Sequence, residues 1–282
     1  LPGVHVVRNI SDIAALQPAL QPGRRLVVIG GGYIGLEAAA VARKLGLEVT
    51  LVEAAPRILG RVASAETADM IRDLHRSHGV TVIEGVGIAR ITGTGAADGV
   101  DLADGRHLPA DLVICGIGVV PETALAKAAG LALDNGIAVD AQGRTSDPAV
   151  WAAGDCASFP MSRGRLRLES VGNAIDMAEA VAANMLGAGA DYVPKPWFWS
   201  DQYDTKLQIA GLPGHGDQTV LRGDPADLIA LDVVEGSSSL DGFTVIAPAA
   251  IARERGWEVG DTLAVAGPTG EAVEATLGGL FQ

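Results

Sequence analysis

Residues 25 to 53 constrain the fold most tightly. Arg25-Leu26-Val27-Val28-Ile29 is a short β-branched run that ends in Gly30-Gly31-Gly32. An Ala-rich, helical stretch follows from Tyr33 to Leu45 and stops at Gly46. Glu48-Val49-Thr50-Leu51-Val52-Glu53 then reads as a second strand. Strand, Gly30-x-Gly32-x-x-Gly35, helix, and a strand ending in an acid together predict a dinucleotide-binding βαβ unit. Gly30 permits the tight turn, Gly32 lets backbone approach a pyrophosphate, and Gly35 lets the helix pack on the strand; Tyr33 and Ile34 lie within the same loop. The N–H groups and dipole of the helix N-terminus favour an anion there. A carboxylate at Glu53 can accept from both adenosine ribose hydroxyls and would repel a 2′-phosphate, so NAD is expected over NADP. Arg57 and Arg61 follow in the adjacent loop, where they either touch the diphosphate or ribose or stand as solvated charges.

The α/β rhythm continues with a helix from Ser64 to His78, on a Ser cap, and a strand from Val80 to Glu84. It breaks between Val86 and Pro109, where short alternating runs and turn signals at Asp98-Gly99 and Asp104-Gly105 predict an antiparallel meander. Asp111 to Gly116 returns as a buried strand. The expected architecture is a doubly wound, Rossmann-like α/β sheet with one crossover replaced by a β-meander. Two further strand ends could meet a ligand. One is DLVICGIGVVP, where Gly116-Ile117-Gly118 either admits a ligand or makes a structural turn. The other is TSDPAVWAAGD, in which a buried strand is expected to deliver Gly154 and Asp155; Asp155 either accepts from a ribityl hydroxyl or belongs to an ordinary Gly-Asp turn. A helix is expected from about Asn173 to Leu186.

The bulk numbers exclude several classes. With 48% hydrophobic and 20% charged residues the chain is globular rather than disordered. A net charge of −13 argues against general nucleic-acid or membrane-surface binding. No apolar run approaches the roughly 20 residues that span a bilayer. Leu1-Pro2-Gly3-Val4 has neither a basic nor an apolar leader, so a cytoplasmic location is expected. Cys115 and Cys156 form no Cys-x-x-Cys dithiol and read as small buried side chains in a reducing compartment. No metal-ligating or acid–base catalytic set stands out.

These three glycine-bearing segments, in this order, resemble the two-dinucleotide-binding-domain flavoproteins. RLESVGNAIDMAEAVAANMLG (167–187) resembles that family's flavin-side segment and helix. PKPWFWSDQYDTKLQIAGLP (194–213) resembles the opening of the C-terminal domain of ferredoxin, rubredoxin and putidaredoxin reductases, and LPGVHVVRNISDIAAL resembles their linker into the NAD domain. The resemblance implies that Gly30, Gly32, Gly35 and Glu53 hold NADH, and that Glu37 approaches the nicotinamide with Gly116 and Gly118 opposite. It also implies that Asp155 meets the ribityl–phosphate region of FAD, that Glu169 and Val171 line the flavin, and that Trp199 lies near the isoalloxazine; Trp199 read alone serves equally as packing. Hydride would pass from NADH to flavin, then electrons to a ferredoxin or rubredoxin, with the flavin performing the chemistry. Arg163, Arg165 and Arg167 form a basic island that either steers an acidic ferredoxin or is a solvated loop. A homodimer is a candidate assembly. Other NADH–flavin reductases, such as a nitrite reductase subunit or an NADH oxidase, and a non-catalytic NADH-binding fragment are the competing readings.

Two departures from the family pattern stand out. The family opens with an FAD-binding βαβ unit, whereas one Gly-x-Gly-x-x-Gly fingerprint occurs here, so the adenosine half of the flavin site is not expected from these residues. After Asp224-Pro225-Ala226 the family pattern fades. Gly236-Ser237-Ser238-Ser239 reads as a join, beyond which an Ala-rich helix and a hairpin at Pro268-Thr269-Gly270 resemble periplasmic segments of ABC-type permeases. The expected organisation is a linker over 1–22, an NAD-binding domain over 23–125, the C-terminal part of an FAD domain over 126–190, the start of an α+β C-terminal reductase domain over 191–235, and an unassigned, foreign tail over 236–282.

Overall fold

The computed structural model describes residues 1–161 and 164–212, together with four later strands. In chain order the elements are β1 (Val4–His5), α1 (Ile10–Leu16), β2 (Arg25–Ile29), α2 (Tyr33–Lys44), β3 (Glu48–Glu53), α3 (Ala65–Ser77), β4 (Thr81–Glu84), β5 (Ile88–Thr92), β6 (Gly99–Leu102), β7 (His107–Pro109) and β8 (Leu112–Cys115). Then come α4 (Ala124–Ala128), β9 (Ile137–Ala138), β10 (Ala157–Met161), β11 (Gly164–Leu166), α5 (Val171–Met185), β12 (Trp197–Gln202) and β13 (Thr205–Gly211). The later strands are β14 (Leu231–Val234), β15 (Thr244–Pro248), β16 (Thr262–Ala266) and β17 (Ala272–Phe281).

A five-stranded, all-parallel sheet in the order β1-β8-β2-β3-β4 carries the first unit. Its strands are apolar on both faces because both faces are covered. Alternation sorts the side chains: Leu26, Val28, Leu112 and Ile114 join the core beneath α2 and α3. Val27, Ile29 and Val113 point the other way and meet Val100 and Leu102 of the antiparallel meander β5–β7. One face therefore packs on helices and the other on a small sheet, as the broken rhythm predicted. Ser64 caps α3 by accepting from Thr67 N–H at 3.2 Å, and Gly46 and Gly79, at φ +84° and +82°, follow the ends of α2 and α3.

The structure departs from the sequence reading in three places. The opening stretch, read as linker, adds an edge strand: Val4 and His5 pair with Val113 and Ile114. Asp98-Gly99 is not the first meander turn. The chain reverses earlier, through Gly93 and Gly95, and Gly99 opens β6, where a side chain would collide with the His107 ring at 2.4 Å. The expected buried strand before Gly154 shrinks to a single bridge between Arg144 and Trp151, and Gly154–Cys156 is a 3-10 turn. The hydroxyl of Thr145 bonds the carbonyls of Asp147 and Val150, which turns the backbone back on itself and leaves little ladder to form.

Residues 126–192 pack a second, smaller core around Phe159, Met177 and Val181, with α5 capped by Ser170. The antiparallel hairpin β12–β13 brings Leu207 and Ile209 into the core on the α2 side of the large sheet. In the second compact unit, which holds most of the chain after Ala210, β17 pairs antiparallel with β16 and parallel with β15. The predicted hairpin of the tail is thus present as β16–β17, whereas its Ala-rich helix and the Gly236–Ser239 stretch lie outside the described residues.

An exposed strut ties the starts of β2 and β8. Arg25 donates to Asp111 Oδ1 at 2.7 Å and, through its backbone N–H, to Oδ2 at 2.8 Å. These bonds hold the Asp111 carboxyl down at about 2. The folded value lies below the unfolded one of ~3.9, so the strut's contribution is complete above pH ~4 and disappears as pH falls towards 2. Both side chains are a third or more exposed, so solvent screens the pair and keeps its contribution small. Asp111→Asn should therefore lower the urea midpoint slightly at pH 7 and not at pH 2; an equal gap at both pH values would contradict the assignment.

Candidate functional site

The glycine loop is built by close approaches that only glycine permits. Gly30 sits at φ +108°, and a methyl group there would lie 2.4 Å from the Gly116 carbonyl oxygen. One on Gly35 would lie 2.0 Å from the Gly30 carbonyl oxygen, so α2 begins pressed against the end of β2. Gly32 is different. It is the N-cap of α2, no side chain caps that helix end, and a methyl group there would meet nothing within 4 Å. An uncapped helix N-terminus facing open space suits a diphosphate. On the opposite lip Gly116 N–H donates to Ile29 O at 2.7 Å, Ile117 is three-quarters exposed, and Gly116 stands against Gly35.

Glu53 stands beside this loop, with both oxygens engaged: Oε2 accepts from Gly31 N–H at 2.6 Å and Oε1 from Ala55 N–H at 2.7 Å. The acid therefore braces the loop, a role that its place at a strand end did not reveal. Gly31, an unspecified position of the fingerprint, proves as constrained as its neighbours, because a methyl group there would meet Ile58 Cγ2 at 2.6 Å. Leu59 N–H donates to Gly31 O, and Glu84 at the end of β4 accepts from Ile58 N–H at 2.8 Å. Sequence reasoning missed Glu84; its position one strand beyond Glu53 was the available signal. Arg57 turns to the Ser64 carbonyl, and Arg61 is exposed.

A second cleft, of about 370 Å³, brings together Asp155, Glu169, Val171 and Trp199, four residues named from sequence. Burial, and then the nearby Glu169, pushes the Asp155 carboxyl up, against the opposing pull of Arg8 and Arg167. Gly154 takes φ +75° and lies against Ala174 of α5. Trp197 and Trp199 lie with ring centroids 4.9 Å apart and partly exposed. Phe198, between them in sequence, stacks on Tyr33 at 3.9 Å, so the Tyr33 ring packs on β12. Ile34 is partly exposed.

The basic island does not hold together as a free cationic patch. Arg165 donates to the carbonyls of Val139 and Ser158, and Arg167 to the Asp155 carbonyl and Glu169. Arg163 lies outside the described residues. Cys115 and Cys156 are half-buried free thiols, and burial pushes Cys115 up. Among the described residues no helix is long and apolar enough to cross a membrane.

A glycine-lined βα corner with an acid beside it, on a parallel sheet, defines a dinucleotide-binding protein of the Rossmann type. The chain belongs to the pyridine nucleotide-disulphide oxidoreductase family, whose model matches residues 1–178; a Reductase C-terminal model matches residues 197–263, past the Gly236–Ser239 stretch. A ferredoxin–NAD(P)(+) reductase of a Sphingomonas species is 48% identical over 231 residues, 80% of this chain and 56% of the relative. The ferredoxin reductase for the CYP199A2 system of Rhodopseudomonas palustris superposes with a TM-score of 0.77 at 46% identity, covering 80% of this chain and 57% of that one. Putidaredoxin reductase in its covalent complex with putidaredoxin gives 0.75 at 41% identity, covering 79% and 55%. The chain thus spans little more than half the length of these relatives.

Proposed function

We propose that this chain supplies the NADH-binding part and the flavin-facing part of an NADH-dependent ferredoxin reductase. The observation that carries this is the open, uncapped helix end at Gly32 beside Glu53, within the same compact unit as the Asp155–Trp199 cleft. The dinucleotide diphosphate lies over Gly30, Gly32 and Gly35 with the first-turn backbone of Tyr33 and Ile34. The adenosine ribose meets Glu53, with Arg57 and Arg61 in the neighbouring loop. Glu37 stands on the nicotinamide side, and Gly116, Ile117 and Gly118 form the opposite lip.

The cleft suits the ring and ribityl end of FAD: Asp155 offers an acceptor beside Gly154, Glu169 and Val171 line one wall, and Trp199 gives an aromatic one. Bound FAD would accept hydride from NADH and release electrons singly. The chain's own residues bind, orient and exclude water. Similarity to reductases named for ferredoxin and putidaredoxin supports an iron–sulfur electron acceptor; a rubredoxin is the alternative acceptor. A cytoplasmic location and a homodimer belong to the same proposal.

Titrating the purified chain with NADH tests it. With FAD supplied, flavin absorbance that bleaches on adding NADH is the expected result. A colourless protein that binds NADH would reduce the reading to a nucleotide-binding unit.

A further inference from the structure

Glu37 and β12 are joined by an unbroken run of hydrogen bonds. Ser200, 1% exposed, has its Oγ 2.6 Å from Glu37 Oε1, although the two residues are 163 positions apart in the chain. Gln202 Nε2 lies 3.0 Å from Ser200 Oγ, Gln202 Oε1 lies 2.8 Å from His75 Nε2, and the Tyr203 hydroxyl lies 3.3 Å from His75 Nδ1. His75, on α3, is fully buried, as is Gln202. Burial pushes the imidazole down, which favours its neutral form, and His78 acts in the same direction.

Donor inventory fixes the direction of the run. Ser200 has one proton and gives it to the carboxylate. Its oxygen must then accept from an N–H of Gln202, which leaves the Gln202 oxygen to face His75. An amide oxygen only accepts, so His75 carries its proton on Nε2 and accepts from Tyr203 through Nδ1. Flipping the Gln202 amide would ask Ser200 to donate twice. Every bond therefore points towards Glu37, and no donor among the described residues engages Glu37 Oε2.

We propose that Ser200, Gln202 and His75 are positioning residues for Glu37: they hold one carboxylate oxygen, and so leave the other to accept from the carboxamide N–H of nicotinamide. This rests on the reading above that the nicotinamide end lies at Glu37. It assigns to the β12 segment a part in reading the nucleotide, alongside its Trp199 at the cleft. Lys44, which donates to the Tyr203 carbonyl, and the stacking of Tyr203 on His78 anchor the far end of the run.

ADP-ribose, which lacks nicotinamide, separates positioning from general support. In calorimetry on the full chain, Ser200→Ala should weaken NADH binding about five- to tenfold and ADP-ribose less than about twofold. Ser200→Thr, which keeps the hydroxyl on a strand that accepts β-branching, should restore NADH binding. Should Ser200→Ala not fold, Gln202→Met interrupts the run one link further out and should give the same selective loss. Nitrogen NMR should find the His75 proton on Nε2. A proton on Nδ1, or equal losses for both ligands, overturns the inference while leaving NADH binding intact. Wild-type protein that binds neither ligand overturns the nucleotide reading, and this inference with it.

Discussion

Gly35→Ala will eliminate NADH binding measurable by calorimetry and lower the melting temperature, whereas Gly32→Ala will weaken binding with little change in stability. The contrast follows from what each added methyl group meets. At Gly35 it lies 2.0 Å from the Gly30 carbonyl oxygen, and both partners are backbone, so no rotamer change relieves the clash. Helix α2 must move off the end of β2, disturbing a joint that also carries Gly116. Overpacking of this kind costs ~1–3 kcal/mol, or roughly 2–10 °C in a domain of this size. At Gly32 the methyl group enters open space in the free protein, so folding is spared. It then occupies the volume through which backbone would approach the diphosphate, and a tenfold or greater loss, ~1.4 kcal/mol or more, is expected. Differential scanning calorimetry and NADH titration on the two variants check both halves. Wild-type affinity in Gly32→Ala would move the diphosphate away from this loop.

Local patterns made the frame of this unit legible. The run from Arg25 to Glu53 forms a strand, a turn, a helix and a strand within a residue of the expected ends, because β-branched runs, an Ala-rich segment and Gly46 act locally. The same holds for the capped helix after Ser64, while the meander was legible as a meander with its first turn misplaced. What escaped the sequence depends on partners far along the chain. Val4 and His5 are too few to signal a strand, and form one because β8 leaves an edge open. Gly31 looks like filler until Ile58 is placed against it. The basic appearance of Arg165 and Arg167 gave no hint that nearby carbonyls and Glu169 would claim their guanidinium groups. At the candidate site, the four flavin-side residues that the family resemblance named, Asp155, Glu169, Val171 and Trp199, line one cleft. The bond from Ser200 to Glu37 had no sequence signal, since a serine in a strand says nothing about a carboxylate on a distant helix.

Glu53→Ala separates the brace that geometry places on this side chain from the ribose contact proposed for it. Its oxygens brace the loop through Gly31 and Ala55 N–H, and a carboxylate oxygen with a spare lone pair can still accept from a ribose hydroxyl. Losing the brace weakens every nucleotide alike. Losing the ribose bonds weakens NADH more, since NADPH keeps only the 3′-hydroxyl, and removing the negative charge relieves repulsion of a 2′-phosphate. Hydrogen bonds to charged groups are worth ~1.5–3 kcal/mol, so NADH affinity should fall about 10- to 100-fold in total. NADPH should fall less or gain, shifting the NADH/NADPH preference by about tenfold or more. Parallel titrations with both nucleotides measure that ratio. If both affinities drop by the same factor, Glu53 is a strut for the glycine loop and nothing more, and the preference for NADH must be sought in the loop that carries Arg57 and Arg61.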